Sequence, residues 1–303
     1  GPVFSILIGM VLTLFWKDKT KVQPGIGFTS KKVLQYAVIL LGFGLNLSEI
    51  AKVGAQSLPI IVSTIGTSLI VSFVLCKAMK VPSNISTLVG VGSSICGGSA
   101  IAATAPVIGA DDEEIAQAIS VIFLFNVIAA LTFPTLGGML GMTDHGFGLF
   151  AGTAVNDTSS VVAAGYAFSE AAGDFATMVK LTRTLSIIPT VLIFSVINVR
   201  EKCRLNVAVE GERVNVLTLF PWFILGFLGL ALFNSVGLIP AAVSAFLKDL
   251  SKFLMVAALA AIGLNTDFRE MQKAGLRPML HGFIISALVV VVALLVEMAM
   301  GLV

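Results

Sequence analysis

Long apolar stretches alternate with short polar loops along the whole chain. A helix needs about 20 apolar residues to cross a hydrocarbon core about 30 Å thick. Two stretches, Leu58–Cys76 and Gly282–Val296, contain no charged residue at all. The pattern predicts an all-α, polytopic integral membrane protein with about ten transmembrane helices. The ten segments are approximately 2–16, 33–47, 57–76, 84–105, 114–140, 146–168, 175–199, 215–236, 241–264 and 279–302.

The composition fits lipid better than water as the surrounding solvent. The 303 residues are 57% hydrophobic and 12% charged, whereas a soluble domain carries about 25% charged residues. The net charge of +2 provides no basic surface for nucleic acid. Cys76, Cys96 and Cys203 are too widely spaced for a zinc or disulfide pattern. No catalytic or cofactor-binding motif occurs, so the sequence predicts neither an enzyme nor a cofactor.

The loop charges predict an orientation, because Lys and Arg collect in cytoplasmic loops. If the ten segments alternate, the loops after the first, third, seventh and ninth segments hold 14 of the 19 basic residues on one side. The acidic loop Asp111–Glu114, Glu170 and Asp174 then fall on the other side. We expect one transmembrane transporter domain over residues 1–303, with the run after Gly1-Pro2 interpreted as a truncated first helix.

A short internal repeat hints at inverted symmetry. Gly44-Leu45-Asn46 recurs as Gly263-Leu264-Asn265, and a proline follows each Asn thirteen residues later, at Pro59 and Pro278. The loop charges place the two motifs at opposite membrane surfaces, as inverted-topology transporters require. The alternative is chance, since Gly and Leu are abundant here.

The fourth segment is too rich in small residues for an ordinary span. Four glycines and three serines fall within Gly90–Ala100, and each Gly costs a helix about 1 kcal/mol relative to Ala. We predict a broken helix whose second half offers free N–H groups to an anion. The alternative is close helix packing through small residues. The candidate ligand-binding residues are Ser93, Ser94, Cys96, Gly97, Gly98 and Ser99.

The sixth segment carries five consecutive polar residues, Asn156–Ser160, between apolar runs. These are helix-capping types, so a second break is predicted here. Asp157 at membrane depth is costly and is therefore a functional candidate, as a cation ligand, a proton carrier or a cap. The candidate site residues are Asn156, Asp157, Thr158 and Ser159.

Two cations lie within the seventh segment. Helical spacing places Lys180 and Arg183 on one face, and Arg183 lies about 12 Å along the helix from Phe175. We expect an anionic ligand or Asp157 to neutralise them, with the Arg183 guanidinium suited to an oxyanion. A structural ion pair and snorkelling to the surface are the alternatives.

Three motifs in this order resemble the YeiH-type family of bacterial sulfate exporters. They are Ile95-Cys96-Gly97-Gly98-Ser99-Ala100-Ile101-Ala102-Ala103, then Asn156-Asp157-Thr158 with Val161-Val162-Ala163-Ala164-Gly165, then Lys180-Leu181-Thr182-Arg183. The resemblance implies export of sulfate or a related sulfur oxyanion. It also implies a fold like that of sodium–proton antiporters and bile-acid symporters, in which broken helices of inverted repeats cross.

The chain departs from that family at two of its motifs. Family members often have Cys-Gly-Ala-Ser where this chain has Cys96-Gly97-Gly98-Ser99, and His-Asp where it has Asn156-Asp157. The second difference removes a titratable side chain, so a His-based proton relay is not carried over. Alternating segments would also make the fourth and sixth segments run in the same direction, whereas crossing inverted repeats run oppositely.

The sequence therefore predicts a secondary transporter that exports a small anion across the bacterial cytoplasmic membrane. Its expected partners are that inorganic or organic anion, a coupling proton or sodium ion, and the lipid bilayer; a homo-oligomer is left open. The first alternative is a cation–proton antiporter with Asp157 as ion carrier. A channel and a membrane-embedded enzyme or sensor are further alternatives.

Overall fold

The computed structural model describes residues 2–16, 19, 21–204, 222–265 and 275–302. These residues form helices and connecting turns, without a strand among them. The helices are α1 (Pro2–Phe15), α2 (Gln23–Phe28), α3 (Leu34–Leu41), α4 (Leu47–Met79), α5 (Ser83–Ser94), α6 (Gly98–Ile108), α7 (Asp112–Met139), α8 (Asp144–Ala154), α9 (Thr158–Phe168), α10 (Glu170–Thr184), α11 (Ile187–Arg204), α12 (Trp222–Ser235), α13 (Ala241–Asn265) and α14 (Leu276–Ala299).

Four helical stretches in the described part of the chain are long and apolar enough to cross a membrane. They are Leu47–Met79, Glu113–Met139, Glu170–Asn198 and Leu276–Ala299, and the third joins α10 to α11. The predicted all-helical class is confirmed. The predicted count of about ten spans is not confirmed, since only these four stretches of the described residues have the length and composition of a span. Two of the other predicted spans have a different form.

The first of these is a hairpin made of α5 and α6. Ile101 of α6 packs against Gly92 of α5, where an added Cβ would meet its side chain at 3.0 Å. Asn84, near the start of α5, donates a hydrogen bond to Glu114 at the start of α7 (2.8 Å). Because α7 begins just after α6 ends, the two ends of the hairpin lie together.

The second hairpin is made of α8 and α9. Ser169, directly after α9, donates a hydrogen bond to Asp144 at the start of α8 (2.6 Å). The rings of Phe147 and Phe168 stack, with centroids 4.1 Å apart. The chain therefore enters and leaves this hairpin at one end of the bundle as well.

The two hairpins enter the helical bundle from opposite ends, as their contacts with the two ends of α14 show. Near the start of α14, the His281 Nε2 lies 3.0 Å from the Ser86 Oγ of α5. Just beyond the end of α14, the Leu302 carbonyl lies 2.7 Å from where a Cβ on Gly146 of α8 would stand. His281 and Leu302 are 21 residues apart, which separates these contacts by about 32 Å at 1.5 Å per residue.

We call the end that carries Lys77, Lys80 and Arg277 the basic end, and the other the opposite end. The α5–α6 hairpin enters from the basic end. The α8–α9 hairpin enters from the opposite end. This opposite orientation is what inverted repeats require, and it removes the conflict that simple alternation of spans produced.

The predictions that 84–105 and 146–168 each cross the membrane are wrong. Each half-helix has 11 or 12 residues, about 17 Å or half of a hydrocarbon core, so each segment reaches the middle and returns. Each hairpin removes one crossing from the predicted topology, so the two hairpins together leave the later helices at the predicted ends. Lys80 and the end of α11 therefore lie at the basic end, as the loop charges predicted, whereas the acidic loop Asp111–Glu114 lies at the basic end as well, contrary to the prediction.

The remaining helices α1–α3, α12 and α13 form the other part of the bundle. Glycines allow close approach here: an added Cβ on Gly9 of α1 would lie 2.3 Å from the Ala260 carbonyl, and one on Gly42 would lie 2.4 Å from the Phe227 carbonyl. Asn46 caps α4 at the opposite end by accepting from the Ser48 N–H. Asn265 ends α13 at the basic end, so the two repeat motifs lie at opposite ends.

Cysteine labelling tests the hairpin topology. We expect Lys80→Cys and Glu113→Cys to react with a membrane-impermeant maleimide from the same side, and Glu49→Cys from the other side. All three positions are exposed. The background carries serine at Cys76, Cys96 and Cys203, and the assay compares right-side-out with inverted vesicles. If Glu113→Cys reacts together with Glu49→Cys instead, α5 and α6 cross the membrane and the hairpin is wrong.

Candidate functional site

The tips of the two hairpins meet beside Asn126, at the middle of α7. The Asn126 Oδ1 accepts the backbone N–H groups of Asn156 (3.0 Å) and Asp157 (3.2 Å) in the second tip. An added Cβ on Gly97, in the first tip, would lie 3.7 Å from the Asn126 amide nitrogen and 3.7 Å from the Asp157 Cβ. One carboxamide thus adjoins both tips halfway along a spanning helix.

The local sequence explains why each helix breaks where it does. Gly97 has φ +65°, a left-handed conformation that glycine adopts without steric cost. In the second tip, the Asp157 Oδ2 accepts the Ser159 N–H (3.0 Å) and a close hydrogen bond from the Ser159 hydroxyl. Asp157 is thus the N-cap of α9. Both predicted breaks are found, at Ile95–Gly97 and Val155–Asp157.

Lys180 and Arg183 of α10 tie the first halves of both hairpins together. The Lys180 Nζ donates to the Ile95 (2.6 Å) and Val155 (3.1 Å) carbonyls. The last carbonyls of a helix lack partners within it and carry its negative dipole end. Both cations therefore lie at the C-terminal ends of α5 and α8, where the last carbonyls need hydrogen-bond donors. The Arg183 guanidinium donates to the carbonyls of Ser94 (2.7 Å), Ser93 (2.7 Å) and Val155 (3.1 Å).

Neither cation reaches the surface, since Lys180 and Arg183 are both 0% exposed. The snorkelling alternative is therefore wrong. Within the described residues neither forms a salt bridge, and the ion pairs found there all involve Lys248 or Lys252. The expected ion pair between these cations and Asp157 is thus absent there, and backbone carbonyls occupy their donors instead.

A cavity of about 660 Å³ extends from the hairpin tips towards the basic end. Its floor holds Cys96 and Ser99 from the first hairpin and Asp157 and Thr158 from the second. Its walls come from α3 and the residues just before it, from α6, from the last residue of α10, and from α11 and α12. The wall residues are Lys32, Gln35, Ala102, Ala103, Pro106, Thr184, Ile187, Trp222 and Phe223.

The predicted site residues separate into two groups in space. Those at the cavity are Cys96, Ser99, Asp157 and Thr158. Those packed within or behind the tips are Ser93, Ser94, Gly97, Gly98, Asn156, Ser159, Lys180 and Arg183. Four residues at the site were not among the predicted site residues, namely Asn126, Lys32, Gln35 and Trp222. Of these, Asn126 carried a signal in the sequence, because it is an amide at the centre of an apolar span.

The floor of the cavity combines two helix N-termini with one carboxylate. The first N–H groups of α6 and α9 have no partners inside their own helices, and each N-terminus carries about half a positive charge. Lys32 adds a cation at the basic end of the wall, while Asp157 adds a negative charge on the floor. No group of three or more His, Cys, Asp or Glu that could hold a metal occurs in the described residues.

Thermal unfolding tests the bridge between the hairpins. Arg183→Gln removes the donors to Ser93 and Ser94, and each stranded buried carbonyl costs about 1–3 kcal/mol. We expect a clear fall in Tm in detergent. The control is Lys32→Gln, which removes an exposed cation from the cavity wall and should leave Tm unchanged. Equal melting of wild type and the Arg183 variant would show that these bonds contribute nothing.

The chain matches the family described as Conserved hypothetical protein 698 over residues 1–282. A UPF0324 membrane protein of Clostridium tetani is 50% identical over 307 residues, covering 99% of this chain and 89% of the relative. The UPF0324 membrane protein FN0533 of Fusobacterium nucleatum is 52% identical over 303 residues, with 93% and 86% coverage. The UPF0324 membrane protein SAG1125 of Streptococcus agalactiae is 49% identical over 309 residues, with 99% and 90% coverage.

No solved structure matches the chain. The names of these relatives say that they are membrane proteins and state no substrate. Both the family match and the relatives cover most of this chain. The chain therefore belongs to the Conserved hypothetical protein 698 family, together with the UPF0324 membrane proteins.

Proposed function

We propose that this protein is a multi-pass secondary transporter of the bacterial cytoplasmic membrane that exports a small anion, sulfate or a related sulfur oxyanion. The observation that carries the proposal is the meeting of two oppositely oriented hairpins at one cavity halfway through the bundle. In secondary transporters, broken helices of inverted repeats form the substrate site near the bilayer midplane.

The choice of an anion rests on the polarity of the cavity floor. Helix N-termini attract anions through free N–H groups and a positive dipole end, and α6 and α9 both begin at the floor. The Ser99 and Thr158 hydroxyls and the Lys32 ammonium add donors. Under the proposal, Asp157 caps α9 and carries the coupling proton or sodium ion.

Lys180 and Arg183 take a different role in the proposal from the one that the sequence favoured. Their donors are directed to backbone carbonyls, and neither lines the cavity. We therefore assign them to holding the hairpin tips in place, so that their effect on an anion is indirect. Transporters place helix N-termini towards anionic groups and helix C-termini towards cations, which matches this separation.

The orientation follows from the basic residues. Lys and Arg are enriched in cytoplasmic loops, so the proposal assigns the basic end to the cytoplasm, and the cavity extends from the hairpin tips towards that end. An exporter must load its substrate from that side. The site therefore faces the compartment from which an exported anion would come.

The opposite end is closed by a cluster of ion pairs between the two parts of the bundle. Lys248 of α13 lies 2.7 Å from Asp174 of α10, and Lys252 lies 2.5 Å from Glu170. Tyr166 of α9 also donates to Asp174 (2.5 Å). Release of the anion to the outside would require these contacts to separate.

The main alternative is a cation–proton antiporter on the same framework. One observation favours it, namely the Asp157 carboxylate on the cavity floor. The two functions predict opposite effects of neutralising that residue, because a carboxylate attracts a cation and repels an anion.

Ligand binding distinguishes these two functions. We would titrate the purified protein with sulfate, sulfite, methanesulfonate, chloride and sodium and follow thermal stabilisation, which reaches about 2.7 kcal/mol at 100 times Kd. Ser99→Asp places a carboxylate at the start of α6 and should abolish anion binding. Asp157→Asn keeps a capping residue but removes a negative charge from the floor. If that charge lies about 4 Å from a monovalent anion in water, its removal should raise anion affinity about fivefold. Stabilisation by sodium alone, lost in Asp157→Asn, would sink the anion proposal.

Site accessibility tests the closed end. Ser99 is exposed to the cavity, so Ser99→Cys in the cysteine-free background should react with an impermeant maleimide from the basic side only. Combining it with Lys248→Ala and Lys252→Ala should allow reaction from the opposite side as well. The control replaces Lys52, a basic residue of the same end in α4, with Ala. Exclusive labelling from the basic side in both variants would contradict a closure by these ion pairs.

A further inference from the structure

The cavity at the hairpin tips combines polar groups with a continuous set of apolar side chains. Its floor offers hydroxyls and N–H groups, as described above, and its wall carries the polar side chains of Lys32, Gln35 and Thr184. The rest of the wall is formed by small and aliphatic side chains of α6 and α11 and by two aromatic rings of α12. These apolar lining residues are Ala102, Ala103, Pro106, Ile187, Trp222 and Phe223.

The cavity is also larger than a bare tetrahedral oxyanion needs. Its volume of about 660 Å³ would hold roughly twenty waters at about 30 Å³ each. It lies in the range of about 300–1,000 Å³ that is typical of sites for small organic ligands. A five-atom inorganic ion would leave most of that space unused.

An inorganic dianion would also be poorly matched to the wall. A charged group that leaves water for apolar surroundings loses hydration that only polar partners can replace. Here the donors are those of the floor, of Lys32, Gln35 and Thr184, and of the Trp222 indole, while the aliphatic side chains of α6 and α11 and the Phe223 ring offer none. The apolar wall favours a ligand with an apolar portion of its own.

The local charge favours a single negative charge on the ligand. The two helix N-termini together contribute about one positive charge, and Lys32 contributes one more. The Asp157 carboxylate on the floor offsets one of these. About one positive charge remains to be balanced.

We infer that the ligand is a singly charged organic anion whose oxyanion head binds at the hairpin tips and whose apolar body packs against Trp222 and Phe223. The inference rests on the proposed transport function and narrows its substrate class. The head is a sulfonate or a carboxylate, two groups that share the required acceptor oxygens. Trp222 and Phe223 are specificity-determining residues in this assignment.

A homologous ligand series tests the inference on the purified full chain. We would measure Kd by calorimetry for sulfate, methanesulfonate, propanesulfonate and benzenesulfonate, and for acetate, butyrate and benzoate. Each buried methylene should strengthen binding about fourfold, so propanesulfonate should exceed methanesulfonate about fifteenfold. Sulfate should bind more weakly than methanesulfonate. The two series together identify the head group.

Two variants separate the apolar wall from the floor. Trp222→Ala and Phe223→Ala should flatten the dependence of Kd on chain length, because each variant should weaken propanesulfonate binding more than methanesulfonate binding. The matched control is Trp16→Ala, which removes an exposed tryptophan that is not part of the cavity lining. Asp157→Asn should improve sulfate more than methanesulfonate, because the dianion gains more from losing a negative neighbour.

The outcomes also separate this inference from the proposed function. Sulfate binding as tightly as propanesulfonate, with no effect of Trp222→Ala, would overturn the organic ligand and leave the anion transporter intact. If no anion binds and Ser99→Asp changes nothing, the anion function itself fails. If affinity increases with chain length and Trp222→Ala and Phe223→Ala do not alter that increase, these two rings do not bind the apolar body of the ligand.

Discussion

Backbone groups inside a bilayer must find partners within the protein, since lipid offers none. Two hairpins that turn halfway through the membrane expose the carbonyl ends of α5 and α8 at the most demanding depth. Lys180 and Arg183 meet this requirement with five hydrogen bonds to four carbonyls. The rest of the site depends on that arrangement, because it allows the helices to stop where they do. The cations in turn need no acidic partner, as the carbonyl ends of two helices supply the compensating negative potential.

The same arrangement sorts charge by position. The negative ends of α5 and α8 are covered by buried cations, while the positive ends of α6 and α9 stay open to the cavity. A ligand therefore meets N-termini whose opposing C-termini are already neutralised. Asn126 complements this by accepting the N–H groups of Asn156 and Asp157, which leaves the later N–H groups of the first turn of α9 to the cap and the cavity.

Part of this structure could be predicted from sequence because it depends on local chemistry. Gly97 marks the first break because its backbone conformation favours glycine, and Asp157 marks the second because it caps the following helix. Whether the chain continues across the membrane or turns back after each break could not be predicted in this way. Whether a broken segment crosses or returns depends on contacts such as Asn84 with Glu114, and counting apolar segments assumes that each one crosses. Lys180 and Arg183 were recognised as buried cations, but their partners lie 85 to 90 residues away for the first hairpin. The proposed sulfur oxyanion rests on the family resemblance, and the proposed negative charge of the ligand rests on the polarity of the cavity floor.

Asn126 is a single side chain, yet it links the cavity floor to a spanning helix. It accepts hydrogen bonds from the second tip, and Lys180 donates to the backbone of both hairpins. Separating the floor from α7 or α10 would leave buried backbone groups without partners. Under the proposed transport function, a change of access would therefore carry the floor together with α7 and α10, and displace them relative to α3 and α12.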